Sequence, residues 1–306
     1  MNLRGFIDLH THGIGSFDTR TSFPEDILKM AELHCKAGTG AFLPTIYSGT
    51  LRVMRTNMEA VRRAMEMQRS LPSMCQSSMI LGLYLEGPFL NPLRCGALDR
   101  ESFLKPALSS LKNLIEGYEE IVKIITIAPE LPGALRVIEK CSEMGIRVHM
   151  GHSDGTYTQA GDGMKAGAVG VTHIFNAMRP FHHREPGLVG LGLLDEDLAV
   201  EVIADGVHLS PEALKLLFSI KKPEKIILVS DSVRGARRRG RPAYNAQGVL
   251  EGCGTTISGS LGVLRKIGIS EEEINECGIV NPLRHLQLNP GLNQTFMAHC
   301  HISKNT

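Results

Sequence analysis

The sequence lacks the long hydrophobic run that a membrane-spanning helix requires. No apolar stretch in its 306 residues approaches the roughly 20 residues needed to cross a bilayer, and the N-terminus does not have the charged-then-apolar layout of a signal peptide. An excess of charge is also absent, since the formal net charge is +1. We therefore expect neither a membrane nor nucleic acid as a partner.

Paired cysteines are missing as well. The seven cysteines are odd in number and scattered, and none belongs to a CxxC pair. This pattern is typical of reduced thiols rather than of a disulfide framework. Together with a hydrophobic fraction of 42% and a charged fraction of 21%, it predicts a cytoplasmic globular protein.

The sequence does contain a regular alternation of short apolar runs and amphipathic stretches. Near-continuous apolar runs of this length are typical of strands buried on both faces, as in parallel sheets. Helices are predicted over 24–37, which opens with Pro24, and over 210–219, which has Ser210 as its N-cap. The predicted strands are 6–10, 40–46, 80–85, 121–127, 146–150, 168–172, 198–203 and 226–230.

Eight strands alternating with helices indicate a (β/α)8 barrel, with a doubly wound open sheet as the alternative. Polar residues at the strand ends favour the barrel, because its C-terminal strand ends and loops converge on one mouth. An open sheet would not bring together groups from the first and last strands. The polar residues at these positions are His10, His12, Glu86, His152, His173, His208 and Asp231.

Three of these side chains form a candidate metal site. Glu86, His152 and His173 supply nitrogen and oxygen ligands and leave a position open for water, as catalytic sites require. The alternative is a set of hydrogen-bonded rim residues. Asp231 follows the last strand and is predicted to exchange protons with a metal-bound water and a leaving group. Its alternative role is to orient a ligand histidine.

The motif "FIDLHTHG" raises the same question at the first strand. Residues two apart on a strand point to the same face, so His10 and His12 can reach one ion from one side. Imidazole suits zinc, iron and similar metals. Because an HxH pair alone is weak evidence, a purely structural role for both histidines stays open.

Arginine is prominent in two predicted loops. Arg184 lies in "FHHREPG" after the sixth strand, where it is expected either to bind an anionic substrate group or to form a solvated pair with Glu185. The run "RGARRRGR" at 234–241 follows Asp231. We interpret this run as a solvated, Gly-rich loop rather than as a nucleic-acid site.

The ordered set of motifs resembles one known family. "FIDLHTHG", "LEGPFLN", "GHSDGTY", "THIFNAMRPFHHREPGLVG", "IADGVHL" and "LVSDS" are together similar to the N-acetylglucosamine-6-phosphate deacetylases of the amidohydrolase superfamily. The resemblance implies a metal-dependent (β/α)8 barrel, usually homodimeric, that removes acetate from a 6-phosphorylated N-acetylhexosamine. It also implies a divalent metal cofactor, with one or two ions per chain. Zinc is the metal we expect, and iron, cobalt and manganese are the alternatives.

The resemblance also implies roles for individual residues. Glu86, His152 and His173 match the principal metal ligands, and His10 and His12 match a position where some members bind a second metal. Asp231 matches the catalytic acid and base. The residues that match substrate contacts are Asn176, Ala177, His208 and Arg184, the last expected to reach into a neighbouring subunit's site.

The sequence departs from the family pattern in its scaffold and pocket. We expect a barrel over 1–288 without a complete flanking β-sandwich, and a poorly ordered tail over 289–306. Leu98 stands where the family has a polar residue that contacts the sugar. These departures leave two alternatives open, a non-catalytic sugar-phosphate-binding protein and an amidohydrolase that acts on a different amide.

Overall fold

The structure is a computed structural model that describes residues 5–70, 77–235 and 243–287. Each of the eight predicted strands is present. The third is interrupted at Leu81 and Gly82, so that Met79–Ile80 forms a separate short strand. The barrel strands are β1 (Phe6–Thr11), β2 (Thr39–Tyr47), β3 (Leu83–Glu86), β4 (Val122–Ile127), β5 (Arg147–Met150), β6 (Ala168–Val171), β7 (Ala199–Ile203) and β8 (Ile226–Val229).

Helices alternate with these strands, as the sequence predicts. The two predicted helices begin and end within one residue of the expected bounds, at Pro24–Lys36 and Pro211–Ile220. The helices are α1 (Pro24–Lys36), α2 (Leu51–Arg69), α3 (Leu108–Ile115), α4 (Ala134–Glu143), α5 (Tyr157–Lys165), α6 (Gly187–Leu194), α7 (Pro211–Ile220), α8 (Ile257–Lys266), α9 (Glu271–Asn275) and α10 (Asn281–His285), with a π-helical turn at Glu276–Val280 between the last two.

The eight strands pair in parallel in sequence order, β1 to β8. Closure between β8 and β1 is made just beyond the end of β8. Asp231 N donates to His10 O over 2.8 Å, and His12 N donates to Ser232 O over 2.8 Å. The first and last strands therefore lie side by side, which confirms the barrel and is incompatible with an open sheet.

A register shift in β1 affects the direction of its polar side chains. Asp8 pairs with Phe42 and Thr11 pairs with Pro44, so β1 has one extra residue between these positions. The Asp8 Oδ1 atom accepts from Ser230 N over 3.1 Å and from His10 N over 3.3 Å. This buried carboxylate thus joins β1 to β8 where the strand hydrogen bonding is irregular.

The barrel interior is apolar near one end and polar towards the mouth. Ile7, Ile124 and Ile227 from the strands pack with Ile279 and Leu283 from the C-terminal helical segment. A larger apolar cluster fills the space between the strands and the surrounding helices. The interior packing holds the strand ends rigidly, and therefore also the residues that follow them.

The elements outside the barrel are small within the described residues. Two short hairpins pair Gly13–Ile14 with Phe17–Asp18 and Ala243–Tyr244 with Leu250–Gly252. These described parts contain no β-sandwich, in agreement with the expected scaffold. None of the described helices has both the length and the apolar character to cross a membrane. The predicted tail over 289–306 and positions 236–241 of the arginine run lie outside the described residues.

Candidate metal centre

The predicted site residues meet at the C-terminal end of the barrel. Glu86 is the last residue of β3, while His152, His173 and Asp231 each come two residues after β5, β6 and β8. The three latter residues have left-handed φ angles of 45°, 25° and 47°. Such a conformation costs a non-glycine residue about 1–3 kcal/mol and is typical of functional sites, where the surrounding structure imposes it.

The ligand atoms form two adjacent groups. In the first, Glu86 Oε1 lies 3.1 Å from His152 Nε2 and 3.1 Å from His173 Nε2. In the second, Asp231 Oδ1 lies 3.6 Å from His10 Nε2 and 3.4 Å from His12 Nε2. Within each group, one ligand atom per residue lies within 4.8 Å of the others. Glu86 Oε2 is also 3.3 Å from His12 Nε2, so this carboxylate contacts both groups.

Hydrogen bonds on the far side of the rings orient three of the histidines. His12 Nδ1 lies 3.0 Å from Thr45 O, and His152 Nδ1 lies 2.9 Å from Arg94 O. Because a carbonyl oxygen can only accept, each Nδ1 carries the proton. His10 Nδ1 faces Glu201 Oε2 at 2.9 Å in the same way. When a cation displaces any proton on Nε2, each of these rings presents the Nε2 lone pair to it, the orientation a metal ligand needs.

This donor set fits a divalent cation. The Nε2 atoms of His10 and His12 are only 3.3 Å apart, so two lone pairs face each other beside two carboxylates. With no cation between these groups, burial would raise the pKa of Glu86, and only protonated rings, through the charge of His12 and hydrogen bonds from His10, His12 and His152, would hold that pKa well below its usual range. An ionised, buried carboxylate among imidazole lone pairs is favourable when a cation is bound between them.

A cavity of about 220 Å³ lies directly above these groups. Polar and apolar side chains from at least five loops form its wall, and Leu98 is among them. The lining residues are His12, Arg20, Tyr47, Glu86, Gly96, Ala97, Leu98, His152, His173, Asn176, Ala177, His208, Asp231, Val249, Leu250 and Glu251.

Three of the four predicted substrate contacts line this cavity. These are Asn176, Ala177 and His208. His208 Nδ1 pairs with Asp205 Oδ2 at 2.8 Å, which directs His208 Nε2 away from Asp205. Arg184 is not part of the lining; it is exposed, and its Nη1 donates to His183 Nε2 over 2.9 Å. The predicted contact of Arg184 with a neighbouring subunit's site is untested.

Arg20 and Tyr47 line the cavity but were not singled out in the sequence. The Arg20 guanidinium carbon lies 3.7 Å from the centre of the Tyr47 ring, and Tyr47 stacks on His12 with ring centroids 3.8 Å apart. The Tyr47 hydroxyl donates to Asp18 Oδ2 over 3.3 Å. Within the described residues, Arg20 is the one arginine in the cavity wall and forms no ion pair. Tyr47 ends β2, so the strand-end rule could have identified it.

The architecture, an eight-stranded barrel with four histidines and two carboxylates at its mouth, suits a catalytic metal site. The sequence matches the Amidohydrolase family over residues 3–266. It is 35% identical over 231 residues to an N-acetylgalactosamine-6-phosphate deacetylase from Escherichia coli O157:H7, with 76% of this chain and 59% of that protein covered. It is 30% identical over 306 residues to an N-acetylglucosamine-6-phosphate deacetylase from Danio rerio, with 94% and 73% covered.

The fold is also similar to that of a solved relative. An N-acetyl-D-glucosamine-6-phosphate deacetylase mutant from Mycobacterium smegmatis, in complex with N-acetyl-D-glucosamine-6-phosphate, superposes with a TM-score of 0.84 at 25% identity, covering 94% of this chain and 78% of that one. The chain therefore belongs to the amidohydrolase family and, within it, to the N-acetylglucosamine-6-phosphate deacetylase family. The chain nevertheless spans only 56% to 59% of the length of three bacterial relatives, the Escherichia coli protein among them.

Proposed function

We propose that this protein is a metal-dependent amide hydrolase that removes acetate from an N-acetylhexosamine 6-phosphate, in the first place N-acetylglucosamine 6-phosphate. The observation that carries the proposal is the pair of ligand groups beneath the cavity, joined by Glu86 and completed by Asp231. The family relationship supports the same reaction. Leu98 in the cavity wall is the feature that points to a different sugar contact from that of the relatives.

The chemistry requires an activated water, a polarised carbonyl and a proton carrier. A divalent ion held by Glu86, His152 and His173 would lower the pKa of water towards about 7 and polarise the amide carbonyl. Asp231 would accept the proton of the attacking water and then deliver it to the departing amine. His10 and His12 would hold a second ion beside Asp231.

Binding of the phosphate would align the amide for attack, a contribution that comes from orientation. We propose that Arg20 contacts the anionic group from within the same chain, because it lines the cavity and forms no ion pair among the described residues. Arg184 would contribute from a neighbouring subunit of a homodimer. Asn176, Ala177 and His208 would contact the remaining parts of the sugar phosphate.

We further propose zinc as the bound metal and the cytoplasm as the location. Imidazole and carboxylate ligands suit zinc, although they also suit iron, cobalt and manganese. The relatives include both galactosamine and glucosamine enzymes, so the preferred epimer is to be settled by assay.

The experiment is an acetate-release assay on the metal-loaded full chain, with the 6-phosphates of N-acetylglucosamine and N-acetylgalactosamine as substrates and metal content measured on the same sample. Release of acetate with one or two ions bound per chain is the expected result. A metal-loaded protein that releases no acetate from either sugar but cleaves another amide is a different amidohydrolase. An inactive chain without metal is a degenerate member.

A further inference from the structure

Glu201 is a fully buried carboxylate in the middle of β7, beneath the two ligand groups. Its Oε2 atom lies 2.9 Å from His10 Nδ1 and accepts from His173 N over 3.3 Å. Its Oε1 atom lies 2.8 Å from His149 Nδ1. Both oxygens are therefore hydrogen-bonded, as a buried carboxylate requires. Glu201 does not line the cavity, so its effect on the site passes through these partners.

The contact with His10 decides which nitrogen of that ring faces the site. An ionised carboxylate can only accept, so a proton lies on His10 Nδ1, and in the neutral ring that binds a metal the lone pair is on Nε2. Among the three histidines of the ligand groups that have a partner on Nδ1, His12 and His152 use backbone carbonyls. The orientation of His10 thus depends on a side chain that substitution can remove, whereas those of His12 and His152 do not.

The hydrogen bond between the side chain at position 201 and His149 can be reversed in direction without loss to the site, whereas the hydrogen bond between that side chain and His10 cannot. His149 Nε2 lies 2.6 Å from His285 Nε2, so the proton between these rings can lie on either nitrogen. An amide NH2 at position 201 could donate to His149 Nδ1 if the hydrogen bond between His149 and His285 were reversed. The same change at His10 would place a proton on Nε2, directed at His12 and Asp231, and would remove a ligand. A glutamine at position 201 can therefore direct its oxygen to His10 and its NH2 to His149, whereas a side chain without an acceptor leaves His10 Nδ1 without its partner.

We propose that Glu201 is a positioning residue that orients His10 and thereby makes His10, His12 and Asp231 a metal centre, an inference that rests on the proposed metal-dependent function. Loss of its acceptor oxygen weakens this centre more than the centre formed by Glu86, His152 and His173. Removal of a hydrogen-bond partner of a metal-ligating histidine typically lowers metal affinity about 10- to 100-fold.

The test measures zinc binding without substrate. Chelator-stripped full-length protein is titrated with zinc against a chromophoric chelator for the wild type, Glu201→Met, Glu201→Gln, His10→Gln and the double variant of Glu201→Met with His10→Gln. We expect two classes of site in the wild type, one of which weakens about 10- to 100-fold in Glu201→Met and is retained in Glu201→Gln, whose amide oxygen can still accept from His10 Nδ1. That class is lost in His10→Gln, and the double variant binds no more weakly than His10→Gln alone.

The matched control is Glu130→Met. Glu130 also accepts several hydrogen bonds, from Asn91 Nδ2 over 2.8 Å, Asp154 N over 2.7 Å and Ser153 Oγ over 2.6 Å, but it contacts no site histidine. We expect this variant to lower the thermal midpoint while both zinc classes keep their affinity. Circular dichroism establishes that each variant is folded before titration.

Several outcomes would overturn the inference. Glu201→Met could weaken both classes equally, or lower only the thermal midpoint, and the role of Glu201 would then be structural. If His10→Gln binds as much zinc as the wild type, with the same affinity, His10 is not a ligand and the inference fails. The same conclusion holds if the wild type has a single class of site that His10→Gln leaves unchanged. In that case the proposed hydrolase still stands on Glu86, His152 and His173. A wild type that takes up no zinc or other divalent metal contradicts the proposed function itself.

Discussion

At the scale of single residues, Asp231 is the group on which the proposed reaction depends most. Its carboxylate lies close to both His10 and His12, its backbone is strained, and it forms part of the cavity wall. We expect Asp231→Asn to lower kcat by about 100- to 10,000-fold, because an amide cannot accept and return the proton. Acetate release measures the rate, and metal analysis should still find the ion held by Glu86, His152 and His173.

A suitable control for this variant is Asp162→Asn on α5, where the carboxylate is exposed and pairs with Lys165. Its rate should equal that of the wild type. If Asp231→Asn retained a near wild-type rate with the metal bound, the assigned proton transfer would be wrong.

Arg20 gives a second prediction at this scale. Arg20→Met keeps an unbranched side chain but removes the guanidinium, which stacks on Tyr47. If the guanidinium binds phosphate, KM for the sugar phosphate should rise about 10- to 100-fold, the usual value of a hydrogen bond to a charged group. Activity on unphosphorylated N-acetylglucosamine should not change. Arg136→Met, on the exposed side of α4, is the control, and an equal effect of Arg20→Met on both substrates would argue against a phosphate contact.

The identities of the site residues could be predicted from the sequence to different degrees. Glu86, His152, His173 and Asp231 were found because each follows an apolar strand. Glu201 was not, although a single carboxylate within the apolar run "LAVEVI" was a usable signal. Its partner His10 is 191 positions away in the sequence, and local pattern contains no information about such a pairing. Arg20 lies in a loop, where the pattern does not predict which side chain faces the cavity.

At the scale of elements, the strands could be predicted because burial on both faces selects apolar, β-rich runs. The extra residue in β1 could not, because it depends on Asp8 accepting from the backbone of Ser230 on another strand. The left-handed φ angles of the residues after β5, β6 and β8 could not be predicted from the sequence either. They are imposed by packing on residues that would not adopt them alone.

The C-terminal end of α7 provides a prediction about pH. The buried Lys221 Nζ donates to the backbone oxygen of Asp195 at the end of α6. Burial lowers the pKa of this lysine to about 8, although the nearby carboxylates of Asp195, Asp197 and Glu196 oppose the shift. The unfolded chain therefore binds more protons than the folded one between pH 8 and the ordinary lysine value, and stability due to Lys221 should rise with pH in that range.

Thermal unfolding of the wild type and Lys221→Met from pH 7 to 10 measures this effect. The thermal midpoint of the wild type should increase relative to the variant as the pH rises above about 8. Lys222→Met removes an adjacent exposed lysine that pairs with Glu196, and its difference from the wild type should stay constant up to pH 9.5. A constant difference for Lys221→Met as well would mean that Lys221 titrates normally.

At the scale of the whole molecule, the choice between barrel and open sheet followed from the positions of polar residues on the first and last strands. The structure brings these strands together through the backbones of His10, Asp231 and Ser232. The resemblance predicts that Arg184 completes a neighbouring subunit's site, and in the structure Arg184 is exposed and does not line the cavity of its own chain. Whether it acts in a neighbouring site is therefore a question about assembly.

Mixed dimers answer that question. In a dimer of one Asp231→Asn subunit and one Arg184→Ala subunit, the second subunit keeps its own Asp231 and would receive Arg184 from the first, so one of the two sites is complete. If subunits associate at random at equal concentration, activity should recover to about a quarter of the wild-type value, above that of either variant alone. Co-expression with two affinity tags isolates the mixed species, for which the acetate assay should find about half of the wild-type activity, because one of its two sites is complete. If Arg184 acts within its own chain, mixing restores nothing, since the site with Asp231 still lacks the arginine.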